Sequence, residues 1–324
     1  MMSGVIYQKL LAVFLLCGLP SASVIAEFHD TKKILFINSY HAGYEWSDGI
    51  EKGLETGLKG KQVELEKFYM DTKRNREPEA IKTAAEMARQ KIETLKPDIV
   101  ITADDNAAKH VIAPHYKDSV IPFVFTGVNW DASVYGFPYA NVTGMEEVSL
   151  IKSLMDNLSR YSRGNRKGLI SIDAISGKRN VDNFEKELGY SFDKVYYVKT
   201  FDEWKQRYQD LQTQVDVLIL ENPKGITGWD NDKGKEFIEA NTRIPTGTTH
   251  VWLAPYAAVT IAKIPEEQGM WAAETAMAIL AGKTPSEIPI VKNQQGRLYL
   301  NLKLGNAIEV VFDYSMIKNA EIIK

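Results

Sequence analysis

Cysteine is all but absent: Cys17 is the only one in 324 residues. It falls in an N-terminal apolar stretch, so the rest of the chain can form neither a disulfide nor a thiolate metal site. An excess of one charge is also missing. Lys and Arg number 39 against 42 Asp and Glu, for a net charge of −3. The two signs are interspersed, which leaves no basic stripe for nucleic acid. Beyond the N-terminus no apolar run approaches the roughly 18 residues that span a bilayer. There is no G-x-S-x-G elbow, no H-E-x-x-H helix and no phosphate-cradling glycine loop. The five histidines, His29, His41, His110, His115 and His250, lack the close spacing of a metal cluster. Neither metal nor cofactor is expected, and no tandem repeat or low-complexity linker breaks the chain.

What is present begins with an export signal. Lys9 precedes the apolar run Leu10 to Leu16, then Pro20 and the small-residue ending Val24-Ile25-Ala26, the pattern of a secretory signal peptide cleaved after Ala26. Lipidation would need a small residue before the cysteine, and Cys17 follows Leu16. A retained membrane helix is the other alternative, disfavoured by the short run and the cleavage site. The expected product is a periplasmic monomer of about 298 residues. That is long enough for two domains and for burying roughly three quarters of its extended surface.

Short apolar runs alternate with stretches of helical period, the pattern of parallel strands joined by crossover helices. Lys33 to Ile37, Val63 to Phe68, Ile99 to Thr102 and Phe123 to Phe125 read as strands of one half, with helices over 48–58, 78–95 and near 107–112. The aromatic, Gly- and Pro-rich segment 130–141 reads as a crossing. Leu169 to Ile172, Lys194 to Val198, Val217 to Leu220 and Ile244 to Thr246 read as strands of a second half. The expected fold is α/β, two doubly wound parallel-sheet lobes joined by a hinge. After the signal peptide (1–26), residues 27–129 and 254–283 are assigned to the first lobe, and 130–253 with 284–324 to the second.

Open parallel sheets bind ligands beyond the C-terminal ends of their strands, so the residues there are the candidates. After the first strand come Ser39, Tyr40, His41, Tyr44 and Trp46, with hydroxyls and aromatic faces suited to a carboxylate and an apolar or cationic body. Asp104, Asp105 and Asn106 follow the third strand, where one acid can cap a helix and another can receive an ammonium group. Thr126, Gly127 and Asn129 follow the fourth. The second half offers Asp173, Glu221 with Asn222, and Thr249 with His250. Each could belong to an ordinary solvated loop, but all these strand ends carry hydrogen-bonding groups. An enzyme reading, a hydrolase, requires Asp173, Glu221 and His250 to meet within hydrogen-bonding distance.

The chain resembles the substrate-binding family of ABC transporters that includes tryptophan- and tyrosine-type binding proteins, especially the branch also found as sensing domains of histidine kinases. The resemblance rests on Ile37-Asn38-Ser39-Tyr40-His41 with Trp46-Ser47-Asp48, on Met70 to Arg74, on Lys96-Pro97-Asp98 through Asn106, and on Pro122 to Asn129. Asn141 to Gly144, Gln268-Gly269 through Gly282, Ile288-Pro289 and Asn301-Leu302-Lys303 extend it. It implies a type I periplasmic-binding fold in which Ser39, Asp105, Thr126 and Asn129 serve one lobe and Asp173, Asn222 and Thr249 the other. Asp104, Asp105 and Glu221 stand where neutral residues are common, which argues against an aromatic amino acid.

The expected activity is non-catalytic capture of a small amino-acid-like or amine-bearing molecule, with a sugar or nucleoside stacked on Tyr40 or Trp46 as the rival. The expected partner is an inner-membrane ABC permease. The alternative is a sensory adaptor that presents its ligand to a histidine kinase or chemoreceptor, an output needing a separate signalling protein.

Overall fold

A computed structural model describes residues 31–323, and from Lys32 onward the chain forms one unit. The signal segment and its cleavage after Ala26 lie outside the described residues. Strand β1 (Lys32–Asn38) buries Ile34 to Ile37 completely, as expected where helices cover both sheet faces. It is followed by α1 (Glu45–Leu58), β2 (Val63–Tyr69) and α2 (Pro78–Leu95), which starts on Pro78 and ends at the left-handed Lys96. Next come β3 (Ile99–Ala103) and α3 (Asp104–Ala107), which passes through one π-turn into α4 (Ala113–His115). Then β4 (Phe123–Asn129) and β5 (Val142–Glu147) complete a parallel run in the order β2-β1-β3-β4-β5.

The second sheet begins after α5 (Ile151–Leu158), with β6 (Lys167–Ile172), α6 (Ile175–Leu188), β7 (Lys194–Val198), α7 (Phe201–Gln214) and β8 (Val217–Leu220). It continues through α8 (Asn231–Asn241), β9 (Thr246–Thr248) and β10 (Val259–Lys263). Helix α9 (Pro265–Leu280) and β11 (Val291–Lys292) follow, then β12 (Gly296–Asn301), α10 (Leu302–Ala307), α11 (Tyr314–Asn319) and β13 (Glu321–Ile323). The order is β13-β12-β10-β9-β8-β6-β7, parallel except that β12 runs antiparallel to β10. One large core fills this half, and two smaller ones flank the first sheet.

The chain changes sheets later than its sequence suggests. Segment 130–141 is not a crossing: it returns to β5, which pairs with β4 and is buried along its whole length. Gly144 makes this possible, because a Cβ there would fall on the Phe125 ring. Residues 254–263 likewise belong not with the first half but with the second, since β10 pairs with β9 and β12. Helix α9 returns to the first half as expected, and β11 stays there with it, pairing with β5, so residues 284–292 belong to the first half and not to the second. Contact between α9 and α1 is close enough that a Cβ on Gly269 would strike the Ile50 carbonyl and one on Gly53 the Glu266 carbonyl. The three crossings therefore follow Glu147, Lys263 and Asn293.

Side chains of the first turn of α9 hold these crossings together. Glu267 accepts from Gln294 N and Gln295 N at 2.9 Å each, and buried Gln268 donates to Glu146 O at 3.4 Å while accepting from Gly127 N at 3.0 Å. Asn293 Oδ1 accepts from Val148 N at 2.6 Å.

Candidate functional site

The ends of β1, β3 and β5 carry the first lobe's chemistry. Asp104 follows β3 with a left-handed backbone (φ 68°) and is 2% exposed. Asp tolerates this conformation better than most residues, though at some strain. Gly127, also at positive φ, leaves room for it: an added Cβ would stand 3.2 Å from Asp104 Oδ1. Asp104 Oδ2 is fully buried with no hydrogen-bond partner, as is Trp46 Nε1, although the indole N–H acts on this carboxyl and favours its ionised form. Burial, reinforced by Glu147 and Asp105, holds the Asp104 pKa well above the usual carboxylate range.

Three carboxylates, Asp104, Asp105 and Glu147, act on the Tyr40 hydroxyl and, after burial, push its pKa up. Lys73 balances them from above, 4.3 Å from the Tyr40 ring centre and 4.9 Å from that of Tyr44, and the two rings meet edge to face at 5.2 Å. Lys263, from the second sheet, pairs with Glu147 and lies 5.5 Å over the Trp46 ring. The structure thus gathers Tyr40, Tyr44, Trp46, Asp104 and Asp105 at one mouth and adds Lys73, Glu147 and Lys263.

Several candidates prove to be committed inside their own lobe. Ser39 Oγ donates to Ala103 O at 2.5 Å and accepts from Ala107 N at 2.9 Å, so this buried hydroxyl ties β1 to α3 and cannot face a cleft. Thr126, also fully buried, donates to Thr102 O. Asp105 accepts from Asn129 Nδ2 at 2.6 Å and from Tyr135 at 2.9 Å, which makes it a brace for the loop after β4 instead of an open ammonium receptor. Asn106 donates to Thr72 Oγ1, and His41 Nδ1 turns to the Ala42 carbonyl.

At the second lobe's mouth, Glu221 is 5% exposed. Its Oε2 meets His250 Nε2 at 3.3 Å and Asn180 Nδ2 at 3.5 Å, while Oε1 has no partner. Thr249 Oγ1 accepts from Ser149 at 3.2 Å, and Asn222 Oδ1 accepts from Lys224 N at 3.0 Å. Asp173 departs from the group: Lys178 at 2.6 Å and Lys199 at 3.4 Å pair with it, the Lys178 hydrogen bond first lowering its pKa. The Asp173, Glu221 and His250 convergence that a hydrolase needs does not form.

Between the lobes lies a cleft of about 560 Å³ lined by Asp105, Asn129 and Tyr135 on one side and Arg179, Asn183 and Glu187 of α6 on the other. Lys292 of β11 spans the lobes to Glu187 Oε2 at 3.2 Å. Sequence reasoning missed Glu147 because residues 142–147 were read as no strand and were assigned to the second lobe, whereas they form β5 of the first sheet. It missed Lys73 and Lys263 because a lysine near a strand end carries no distinguishing pattern.

No family model matches the chain, and no curated protein matches it. Solved structures do. A ligand-free, open substrate-binding protein with adhesive properties from Clostridium difficile superposes with a TM-score of 0.68 at 17% identity, over 90% of this chain and 99% of that one. An ABC domain in complex with L-Trp from Streptococcus pneumonia gives 0.51 at 16% identity, over 90% and 100%. An arabinose binding protein from Geobacillus stearothermophilus gives 0.51 at 14%, over 87% and 99%. These likenesses establish the fold, the two-lobed type I periplasmic-binding architecture.

Proposed function

We propose that this protein is an exported, periplasmic solute-binding protein that closes its lobes on a small amine-bearing ligand, catalyses nothing, and in its closed form is recognised by an inner-membrane ABC permease. One observation carries the ligand class. Asp104, Asp105 and Glu147 act together on Tyr40, and Asp104 keeps a buried oxygen that makes no hydrogen bond, beside a Trp46 indole N–H that is likewise unpaired. A buried acceptor left unpaired is costly, and an ammonium group supplies the missing donor together with the opposite charge. Tyr40, Tyr44 and Trp46 provide faces for the body of the ligand. Contacts made only when the second mouth arrives, through Glu221, Asn222 and His250, are what shift the equilibrium towards closure.

The test is a thermal-shift screen of amino acids, polyamines, sugars and nucleosides, since a ligand of the folded state raises Tm by mass action. Amine-bearing compounds should raise it, and the shift should vanish in Asp104→Asn. Hits confined to uncharged sugars would overturn the ligand class, and loss of their shift in Trp46→Ala would assign the site to a stacked ring.

A further inference from the structure

A second cavity, of about 580 Å³, opens in the second lobe among Asn222, Lys224, Trp229, Asn231, Trp252 and Tyr256. It takes no lining from the first lobe: its walls are the loop after β8, the start of α8 and the turn 251–256. Its aromatic walls differ in character. Trp229 is fixed edge-on between Phe201 and Trp204, at 5.1 Å from each, and packs against Tyr256 at 6.0 Å. Trp252 is 58% exposed and stacks on His250 at 4.7 Å. The cavity therefore offers flat apolar faces that the lobe's core does not consume.

The polar atoms around it are unevenly used. Asn231 Oδ1 accepts from Trp229 Nε1 at 2.8 Å, the Asn231 carbonyl accepts from Tyr256 at 3.1 Å, and Asn222 Oδ1 accepts from Lys224 N at 3.0 Å. Among the described residues, no partner engages Asn222 Nδ2, Asn231 Nδ2 or Lys224 Nζ. Trp229 Nε1 and the Tyr256 hydroxyl are spent on Asn231, so the donors left for a ligand are the Asn222 and Asn231 amides and the Lys224 ammonium, which suit a ligand that brings acceptors and negative charge. Asp230 and Asp232 act on Tyr256, which places the negative group of the ligand at the Lys224 end. A sugar, which both donates and accepts, fits this one-sided inventory poorly.

We propose that this cavity, lined by the second lobe alone and adjoining its mouth at Asn222 and His250, is a second binding site for a small carboxylate with a flat apolar body, of the aromatic carboxylic acid class. The probe is 4-fluorobenzoate, followed by fluorine NMR line broadening on titration with the full chain. Saturable broadening is expected, with affinity at least about tenfold weaker for neutral 4-fluorobenzamide and about tenfold weaker in Lys224→Met and Trp252→Ala. Both side chains are largely exposed, so an unchanged Tm is expected to show that the variants fold. Binding should persist in Asp104→Asn, which alters only the inter-lobe mouth. Absence of saturable broadening, equal binding of the amide, or loss of binding in Asp104→Asn would each overturn the second site. Failure of the amine screen would leave it untouched.

Discussion

The two mouths hold the same device completed in opposite ways. Each has a buried acid directly after a central strand, Asp104 after β3 and Glu221 after β8, and each acid keeps one oxygen without a partner. Glu221 is answered within its own lobe by His250 and Asn180. Asp104 instead faces Asp105 and Glu147, carboxylates that raise its pKa further. One half pairs its acid within its own lobe; in the other, burial and two neighbouring carboxylates outweigh Lys73 and Trp46 and raise the acid's pKa. Under the proposed function, the difference assigns ligand selectivity to the first lobe and the sensing of closure to the second.

The comparison can be broken most directly by neutralising each acid. Asp104→Asn should weaken an amine-bearing ligand by about a hundredfold or more, the cost of leaving a charged donor unpaired. Glu221→Gln should cost no more than about tenfold. Equal losses by titration calorimetry would abolish the asymmetry.

Next is pH. The ammonium group needs Asp104 ionised, whereas the empty site favours its protonated form, so affinity should fall as pH is lowered through the raised pKa. The profile should flatten in Asp104→Asn. Stability has the matching sign. Because the folded state holds this proton more tightly than the unfolded chain does, stability declines as pH rises from the ordinary Asp value through the raised one. Asp104→Asn should therefore have a higher Tm than the parent, most clearly at neutral pH by calorimetric scanning.

The smallest effect is expected from Lys263→Met. It leaves Glu147 without its counter-charge and should strengthen amine binding by about threefold at low salt, with the gain fading as salt rises.

The strands β1, β3 and β4 were legible because each is a continuous apolar run, and Tyr40, Trp46 and Asp104 could be placed near one mouth because they closely follow strand ends. Lobe membership was not legible for β5 and β10. It depends on which distant strand accepts the pairing, as the fit of Gly144 beneath Phe125 shows, and a strand's own pattern carries no record of its neighbour. Ser39 and Thr126 were misread for a related reason. A polar side chain at a strand end meets backbone groups and loops of its own lobe as readily as it meets a cleft. Glu147 and Lys263 sit at two separate chain passages, so only folding brings Glu147 to Asp104 and Lys263 to Glu147.

The glycine-lined seam between α1 and α9 has a mechanical consequence. Because no side chains separate the two backbones at Gly53 and Gly269, α9 has little room to slide, and the turn that opens it grips the other two passages through Glu267 and Gln268. It behaves like the leaf of a door hinge already screwed to its frame. The same turn, through Gln268, also fixes Gly127 beside Asp104, so the packing of this seam and the buried acid share one support.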